Sequence, residues 1–426
     1  MMRFVFLFIV MIVSRSANTA LQVDISAKAA VLMNAETGAV LYEKNAYLPL
    51  YPASITKIIT ALYALEKRGD QLEQMVKISQ EALKSVSPQA RRDRLGAHPP
   101  YRLEFGASLM GLKAEEQVSA EALFYGLMLS SGADAANALA EWVSGNIPRF
   151  MEELNGYVRS LGYKQTTLTT PHGLTHASHK TTAYDMCLLT KKALEQPFFC
   201  KIVKTITYLK PASNKQPPVE LLQHNSLIKP GKFYYPKAIG VKTGYTASSG
   251  YTIAAAAEDQ NRKLIVVLMG CDKLEQRYRD AIALFEAGFN EPRIQRTLFS
   301  KNFDVFSIIQ KKSKNPIKAI LNEDVVIDYY ASEEPLIKPE LEWEPIVFPV
   351  QPGQRLATLS LYDQNSQILA VYPLYAVEKV HSTFYYQVLD KCLSWIISLK
   401  QPMSLLMLGL GIAVLSFSFV WVSKRV

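Results

Sequence analysis

The sequence predicts an α+β domain, an antiparallel sheet covered by helices, followed by a small all-β domain and a C-terminal membrane helix. Three observations carry that expectation. Apolar strand runs open and close the first 292 residues with a block of helical periodicity between them, the element order of an α+β domain. From about Leu298 to Val380 the residues are β-branched and aromatic, punctuated by Pro, Asn and Gly turns, and the helical period disappears. The run MSLLMLGLGIAVLSFSFVWV, Met403 to Val422, carries no charge; at about 1.5 Å per residue it covers about 30 Å, the thickness of a bilayer's hydrocarbon core.

Composition sets outer limits. A chain of 426 residues is enough for two or three domains at about 100–200 residues each. With 49% hydrophobic and 20% charged residues it can bury real cores, which excludes a disordered tail, a collagen-like chain and a small disulfide-stapled scaffold. Cys187, Cys200, Cys271 and Cys392 are spaced too widely and irregularly for a disulfide framework or a zinc finger. The net charge of +9, from 47 Lys+Arg against 38 Asp+Glu, suits an anionic membrane surface or an acidic wall polymer. Both signs are interspersed and no basic stripe carries interleaved aromatics, so no nucleic acid partner is expected.

Residues 1–20 have the layout of a secretory signal peptide: Arg3, an apolar core from Phe4 to Val13, then small polar residues up to Ala20. An uncleaved anchor is the competing reading, but the apolar core is about ten residues and a span needs about 20. Residues 27–43 form two short apolar runs around an Asn34-to-Gly38 turn, a β-hairpin signal. From Ala53 to Arg68 the residues Ile55, Ile58, Ile59, Leu62, Tyr63 and Leu65 keep a 3.6-residue rhythm that Gly69 stops. Two further helices are expected over Ala120–Leu129, capped by Ser119, and Ala133–Val143, ended by Gly145. Gly250–Ala257 and Lys263–Met269 read as paired strands, and Leu274–Phe289 as a closing helix. The expected domains are therefore 21–292 and an all-β 293–380, the latter a spacer or platform. Residues 381–401 show Phe384, Tyr385, Val388, Leu389, Cys392, Trp395 and Ile396 at helical spacing, an amphipathic juxtamembrane helix that lies on the membrane or packs on the ectodomain. Lys424 and Arg425 after the 403–422 span place the C-terminus on the cytoplasmic side, and everything before it outside.

The sharpest chemical candidate is Ser54-Ile55-Thr56-Lys57 at the start of the second element. A serine and a lysine three apart on a helix share a face, so the amine can take the hydroxyl's proton. The lysine must be neutral to do so, and a second cation nearby would lower its pKa. Alone, such a pattern ordinarily marks a solvent-facing Ser and Lys. Two other elements change its weight: Ser131-Gly132 between two helices, and Lys242-Thr243-Gly244 at a strand pair. Lys242 is the second cation, and Gly244 would let a substrate backbone approach closely.

In that order these elements resemble the SxxK, SGx and KTG motifs of the low-molecular-mass penicillin-binding proteins, the D-alanyl-D-alanine carboxypeptidases. Pro52–Lys57, Gly126–Gly132, Pro171-His172-Gly173-Leu174, His179 with Thr182–Met186, and Gly240–Thr246 extend the resemblance, and the layout of signal peptide, catalytic domain, β-rich second domain and C-terminal membrane attachment carries it along nearly the whole chain. It implies a β-lactamase/transpeptidase-like catalytic domain, with Ser54 as acylated nucleophile, Lys57 as its base and Ser131 as proton relay to the leaving group. Lys242 and Thr243, with Gly244 beside them, would hold the substrate's terminal carboxylate. The backbone N–H groups of Ser54 and Tyr245 would form the oxyanion hole. The implied reaction removes the terminal D-alanine from peptidoglycan stem pentapeptides through an acyl-enzyme. β-Lactams are the implied covalent inhibitors, and no cofactor or metal is implied.

Two departures stand out. The third residue of the second motif, usually Asn, is Ala133, which can offer no amide to substrate or lysine; Asn137, one helical turn on, is a candidate to replace it. This leaves open a weakly active or non-catalytic penicillin-binding wall scaffold as the alternative; a β-lactamase is disfavoured by the second domain and the span. The second departure is a lengthened segment around residues 90–103, a solvated basic loop or a lid beside the cleft. His172, His176 and His179 suggest a metal by spacing, but Pro171 and Gly173 indicate a turn and no carboxylate follows at metalloprotease spacing, so none is expected.

Overall fold

Two strands with apolar residues on both faces organise the first 292 residues. The computed structural model describes residues 21–87, 89–90, 98–313 and 315–398. In it β1 (Ala29–Asn34), β2 (Val40–Lys44), β3 (Ala238–Thr246), β4 (Gly250–Asp259) and β5 (Arg262–Cys271) form one antiparallel sheet in the order β2-β1-β5-β4-β3. The first and last strands of the domain therefore meet at the centre, with Val31 opposite Val267. On β5, Ile265, Val267 and Met269 enter one core while Leu264, Val266 and Leu268 enter another. Burial on both faces is why these strands read as unbroken apolar runs rather than alternations.

One face carries α7 (Leu274–Phe289), whose Tyr278, Ala281, Leu284 and Phe285 fill the smaller core. The other face carries the helical block, with α1 (Thr56–Arg68) at its centre. Every residue of α1 from Thr56 to Leu65 is buried, so it is a core helix enclosed all round, and Lys57 is enclosed with it. Around it stand α2 (Ala120–Met128), α3 (Ala133–Ser144), α4 (Ile147–Ser160), α5 (Ala183–Leu194) and α6 (Pro197–Lys204). The Ser119 hydroxyl caps α2 by accepting from the Ala122 N–H, and Gly145 ends α3 at φ +83, where a Cβ would be strained.

Beside the helices, strands Thr207–Lys210 and Val219–Leu222 pair as a hairpin. Lys210 and Glu116 form a fully buried ion pair at 2.7 Å, and Glu116 also accepts from the Ser213 hydroxyl, the Gln216 amide and the Lys113 N–H. This network fastens the hairpin to the segment that runs into the site.

The chain divides into two units. Within the described residues, one runs to Pro292 and includes Tyr330–Glu333; the other comprises Arg293–Tyr329 and the residues from Glu334 on. The second unit is built on an antiparallel sheet of β6 (Val305–Ile308), β7 (Ile317–Leu321), β8 (Lys338–Trp343), β9 (Arg355–Tyr362) and β10 (Ile368–Ala376), in the order β6-β7-β10-β9-β8. Asp363 makes the β9–β10 turn by accepting from the N–H groups of Asn365 and Gln367. α8 (Phe384–Ser398) follows. Among the described residues no helix is long and apolar enough to cross a membrane. The expected signal peptide at 1–20 and membrane span at 403–422 lie outside the described residues.

Removing one partner of a buried ion pair strands the other charge, at a cost of about 3–5 kcal/mol. Lys210→Met is accordingly expected to destabilise the protein by about that much in urea unfolding, whereas Lys232→Met, removing an exposed partner of Glu275, is expected to change stability by less than about 1 kcal/mol.

Candidate functional site

The nucleophile candidate stands on a turn rather than within the helix proper. Ala53–Ile55 is a single 3-10 turn leading into α1, and the buried Ala53 adopts φ +52, the left-handed region that residues with a Cβ rarely occupy. Ser54 Oγ lies 3.0 Å from Lys57 Nζ, which also donates to the His172 carbonyl at 2.7 Å. Burial lowers the Lys57 pKa to about 7, with the Asp134 carboxylate opposing. Asp134 accepts four backbone N–H groups, from Met110, Gly111, Leu112 and Ala135 at 2.8–3.0 Å.

Those bonds also shape the cleft. Together with Ala133 N–H to Ser108 O at 2.8 Å, they clamp residues 108–112 to the start of α3. Ser131, at φ +59, turns the chain between α2 and α3 and faces the cleft. On the far side β3 supplies Lys242, Thr243, Gly244 and Tyr245. The cleft of ≈ 600 Å³ is lined by every residue proposed from the motifs: Ser54, Lys57, Ser131, Lys242, Thr243, Gly244 and Tyr245. Gly244 proves to be required by the protein itself. A Cβ there would sit 2.8 Å from the Ser54 nitrogen and 2.6 Å from Thr252 Oγ1, so glycine lets β3 pass against the nucleophile's turn.

Sequence reasoning missed two basic residues of the cleft. Arg277 on α7 is buried, with its Nη1 donating to Gly244 O at 3.1 Å, Nη2 to the Tyr278 hydroxyl at 3.0 Å, and Nε buried without a partner. The available signal was a lone Arg on the face of α7 that carries Tyr278, Ala281 and Leu284. His224 also lines the cleft; burial, then Lys242 and the other nearby cations, lower its pKa to about 4, so it is neutral there. Burial, with Lys57 and Arg277, likewise holds Lys242 well below the usual lysine range. An anion entering this cleft meets the Arg277 guanidinium, with the Lys57 and Lys242 amines beside it, in low-dielectric surroundings, which favours a carboxylate.

Asn137 does not stand in for the amide missing at Ala133. Its side chain donates to the carbonyls of Ala82 and Tyr101 at 3.0 and 3.1 Å and does not line the cleft, because two otherwise buried carbonyls claim it. Ala133 does line it. Of the lengthened segment, residues 91–97 lie outside the described residues; Tyr101, at its described end, also accepts from His172 Nε2 at 3.1 Å. His172 Nδ1 accepts from the Leu174 N–H, and both ring nitrogens of His179 are likewise engaged by protein groups. Among the described residues no group of His, Cys, Asp and Glu could hold a metal ion. Asn225 is buried and its side-chain oxygen accepts from the Leu227 N–H.

A sequence profile described as D-alanyl-D-alanine carboxypeptidase matches residues 15–273. The chain is 30% identical over 359 residues to the D-alanyl-D-alanine carboxypeptidase DacF of Bacillus subtilis, which covers 83% of this chain and 85% of that relative. It is 29% identical over 371 residues to DacD of Escherichia coli, covering 84% and 87%. Among solved structures it is similar to penicillin binding protein 6B from Escherichia coli, with a TM-score of 0.59, 25% identity, and 84% and 98% of the two chains covered. Penicillin binding protein 5 from Haemophilus influenzae gives 0.56 at 27% identity, with 84% and 99% covered. The mixed helix-and-sheet architecture is shared with these proteins.

A lysine whose folded pKa lies below its unfolded value is bound to fewer protons when folded, so folding is opposed in acid and the penalty lifts as pH rises. With Lys57 near 7 against an ordinary 10.5, stability is expected to rise with pH across that window. Urea unfolding of the wild type compared with Lys57→Met from pH 6 to 10 checks this: the difference should shift with pH in the wild type's favour as the amine is neutralised.

Proposed function

The chain belongs to the D-alanyl-D-alanine carboxypeptidase family, and from that premise we propose how its cleft removes the terminal D-alanine of a peptidoglycan stem pentapeptide. The protein is a serine-type D-alanyl-D-alanine carboxypeptidase. The observation that supports the residue roles best is the 3.0 Å contact between Ser54 Oγ and a lysine amine whose burial leaves it substantially neutral near pH 7. Lys57 takes the hydroxyl proton as Ser54 Oγ attacks the carbonyl between the two D-alanines. The Ser54 and Tyr245 N–H groups stabilise the oxygen that becomes negative. As the tetrahedral intermediate collapses the C–N bond breaks, and the proton held by Lys57 passes through the Ser131 hydroxyl to the departing D-alanine amine, which leaves Lys57 neutral again. The acyl group is left as an ester on Ser54. Water, deprotonated by Lys57, then cleaves that ester and restores the serine.

The substrate's terminal carboxylate is held by Lys242 and Thr243, with Arg277 behind them. Two residues beyond the motif set therefore belong to the same subsite: Arg277, whose Nε is buried without a partner, and His224 at the cleft wall. β-Lactams are attacked at the same Ser54 and leave a slowly hydrolysed acyl-enzyme. We further propose that residues 1–20 direct export and that 403–422 anchors the enzyme to the cytoplasmic membrane with its catalytic domain outside. The exposed Phe384, Tyr385 and Trp395 on α8 suit attachment at a membrane surface. Protease protection of a C-terminal tag in intact cells tests the topology; a tag digested from outside would refute it.

Release of free D-alanine from a pentapeptide ending in D-Ala-D-Ala is the direct assay. It is expected to vanish in Ser54→Ala, and kcat/KM should climb with pH through about 7, as neutral Lys57 accumulates. Arg277→Met is expected to raise KM about ten- to hundred-fold, the worth of a charged hydrogen bond, with a smaller effect on kcat. Restoring an amide with Ala133→Asn should raise turnover by about ten-fold at most; unchanged turnover would mean that the absent amide is not limiting.

A further inference from the structure

Among the three histidines at positions 172, 176 and 179, His179 is fully enclosed beside the nucleophile's turn and has no part in the chemistry just described. A left-handed residue with a Cβ persists only where its surroundings over-determine it, and the turn at Ala53 is held on three sides. The Thr252 hydroxyl donates to Pro52 O at 3.0 Å, and the Thr56 hydroxyl donates to Ala53 O at 2.8 Å. Gly173, at φ +89, lies so close that a Cβ would fall 1.9 Å from Ala53 O.

The second of these bonds is governed by His179. Its Nδ1 accepts from the Thr169 backbone N–H at 2.9 Å, which places the proton of the neutral ring on Nε2. Nε2 lies 2.9 Å from Thr56 Oγ1 and therefore donates to it. A hydroxyl that accepts there is left to donate to Ala53 O. The relay from Thr169 N–H through imidazole and hydroxyl to Ala53 O thus has one self-consistent direction.

We propose that His179 is a positioning residue for the nucleophile: by orienting the Thr56 hydroxyl it holds the Ala53 carbonyl, and with it the left-handed turn that aims Ser54 Oγ at Lys57 Nζ. This rests on Ser54 being the acylated residue. His179 touches none of the reacting atoms. Burial, with the His176 and Lys57 charges, lowers its pKa to about 3, so the ring stays neutral and the relay keeps its direction at any pH where the enzyme works. Both ring nitrogens are committed to protein partners.

The test is stopped-flow acylation of the full-length protein by a fluorescent penicillin, resolved into binding of the initial complex and the acylation step. His179→Leu is expected to slow acylation about ten- to hundred-fold, as a displaced reacting group does, and to leave initial binding unchanged. His179→Gln, which can present an N–H near the same point, should recover most of the rate. Thr56→Val, isosteric but without the hydroxyl, should reproduce the loss, Thr56→Ser should retain activity, and the double variant His179→Leu with Thr56→Val should be no slower than Thr56→Val alone. Wild-type acylation in Thr56→Val, losses that multiply in the double variant, or an effect on initial binding alone would overturn the proposal. If His179→Leu does not fold, the Thr56 pair decides. Mass analysis of the wild-type adduct separates the two levels: no adduct on Ser54 refutes the parent reading, whereas a Ser54 adduct with unchanged variant rates refutes only the role of His179.

Discussion

An amine can act as a base near neutrality only where its surroundings make the ammonium form costly, and the central helix of this protein supplies that condition for Lys57. Burial strips the amine of water, and its two acceptors, the Ser54 hydroxyl and the His172 carbonyl, are neutral. The Asp134 carboxylate opposes this, but desolvation outweighs its Coulombic relief and the pKa settles at about 7. Solvent access to α1 on any side would undo this, so the helical block, the sheet behind it and the clamp at residues 108–112 all serve one titration.

The site is assembled from segments far apart in the chain, and clearance between backbones decides whether they can meet. Gly173 and Gly244 approach the Ala53–Ser54 turn from different directions, each at a distance that forbids a Cβ. The turn itself is left-handed at a residue that carries one. Strain at that point is balanced by hydrogen bonds to both neighbouring carbonyls. The outcome is a serine whose hydroxyl oxygen lies 3.0 Å from the lysine amine and whose backbone nitrogen lies beside β3. Acyl transfer needs those two features in one place, and a turn free to relax would keep neither.

Charge is arranged with the same economy. Lys57, Lys242 and Arg277 share one cleft, and burial, with Lys57 and Arg277 beside it, holds Lys242 well below the usual lysine range. A carboxylate bound beside it would favour the protonated amine. Arg277 is stacked near Tyr251 and Tyr278 and bound to the Gly244 carbonyl, so its guanidinium is fixed before substrate arrives. Ala133 lines this cleft and offers it no side-chain amide.

How much of this was legible follows from the range over which each signal acts. The hairpin, α1, α2, α3, the β4–β5 pair and α7 were readable because periodicity, caps and turn residues are local, and the three motifs stood out because each is short and contiguous. Arg277 was hidden because a single Arg on an apolar helix face looks like a core-helix exception until β3 is placed against it. Asn137 was misjudged because helical spacing gives a side chain's direction but not its competitors, and the carbonyls of Ala82 and Tyr101 come from another stretch of chain. Gly244 was read as clearance for a ligand, and the close approach of Thr252 and Ser54 to it was not legible because both come from other stretches of chain. The sequence by itself thus determined the hairpin, the central helices and the closing strand pair and helix, the candidates for reaction, and the family to which the chain belongs. Only the tertiary structure decided the protonation of Lys57, the left-handed turn at Ala53, the tautomer of His179 and the entry of Arg277 and His224 into the cleft, because desolvation, backbone clearance and hydrogen-bond direction exist only once distant segments are packed together.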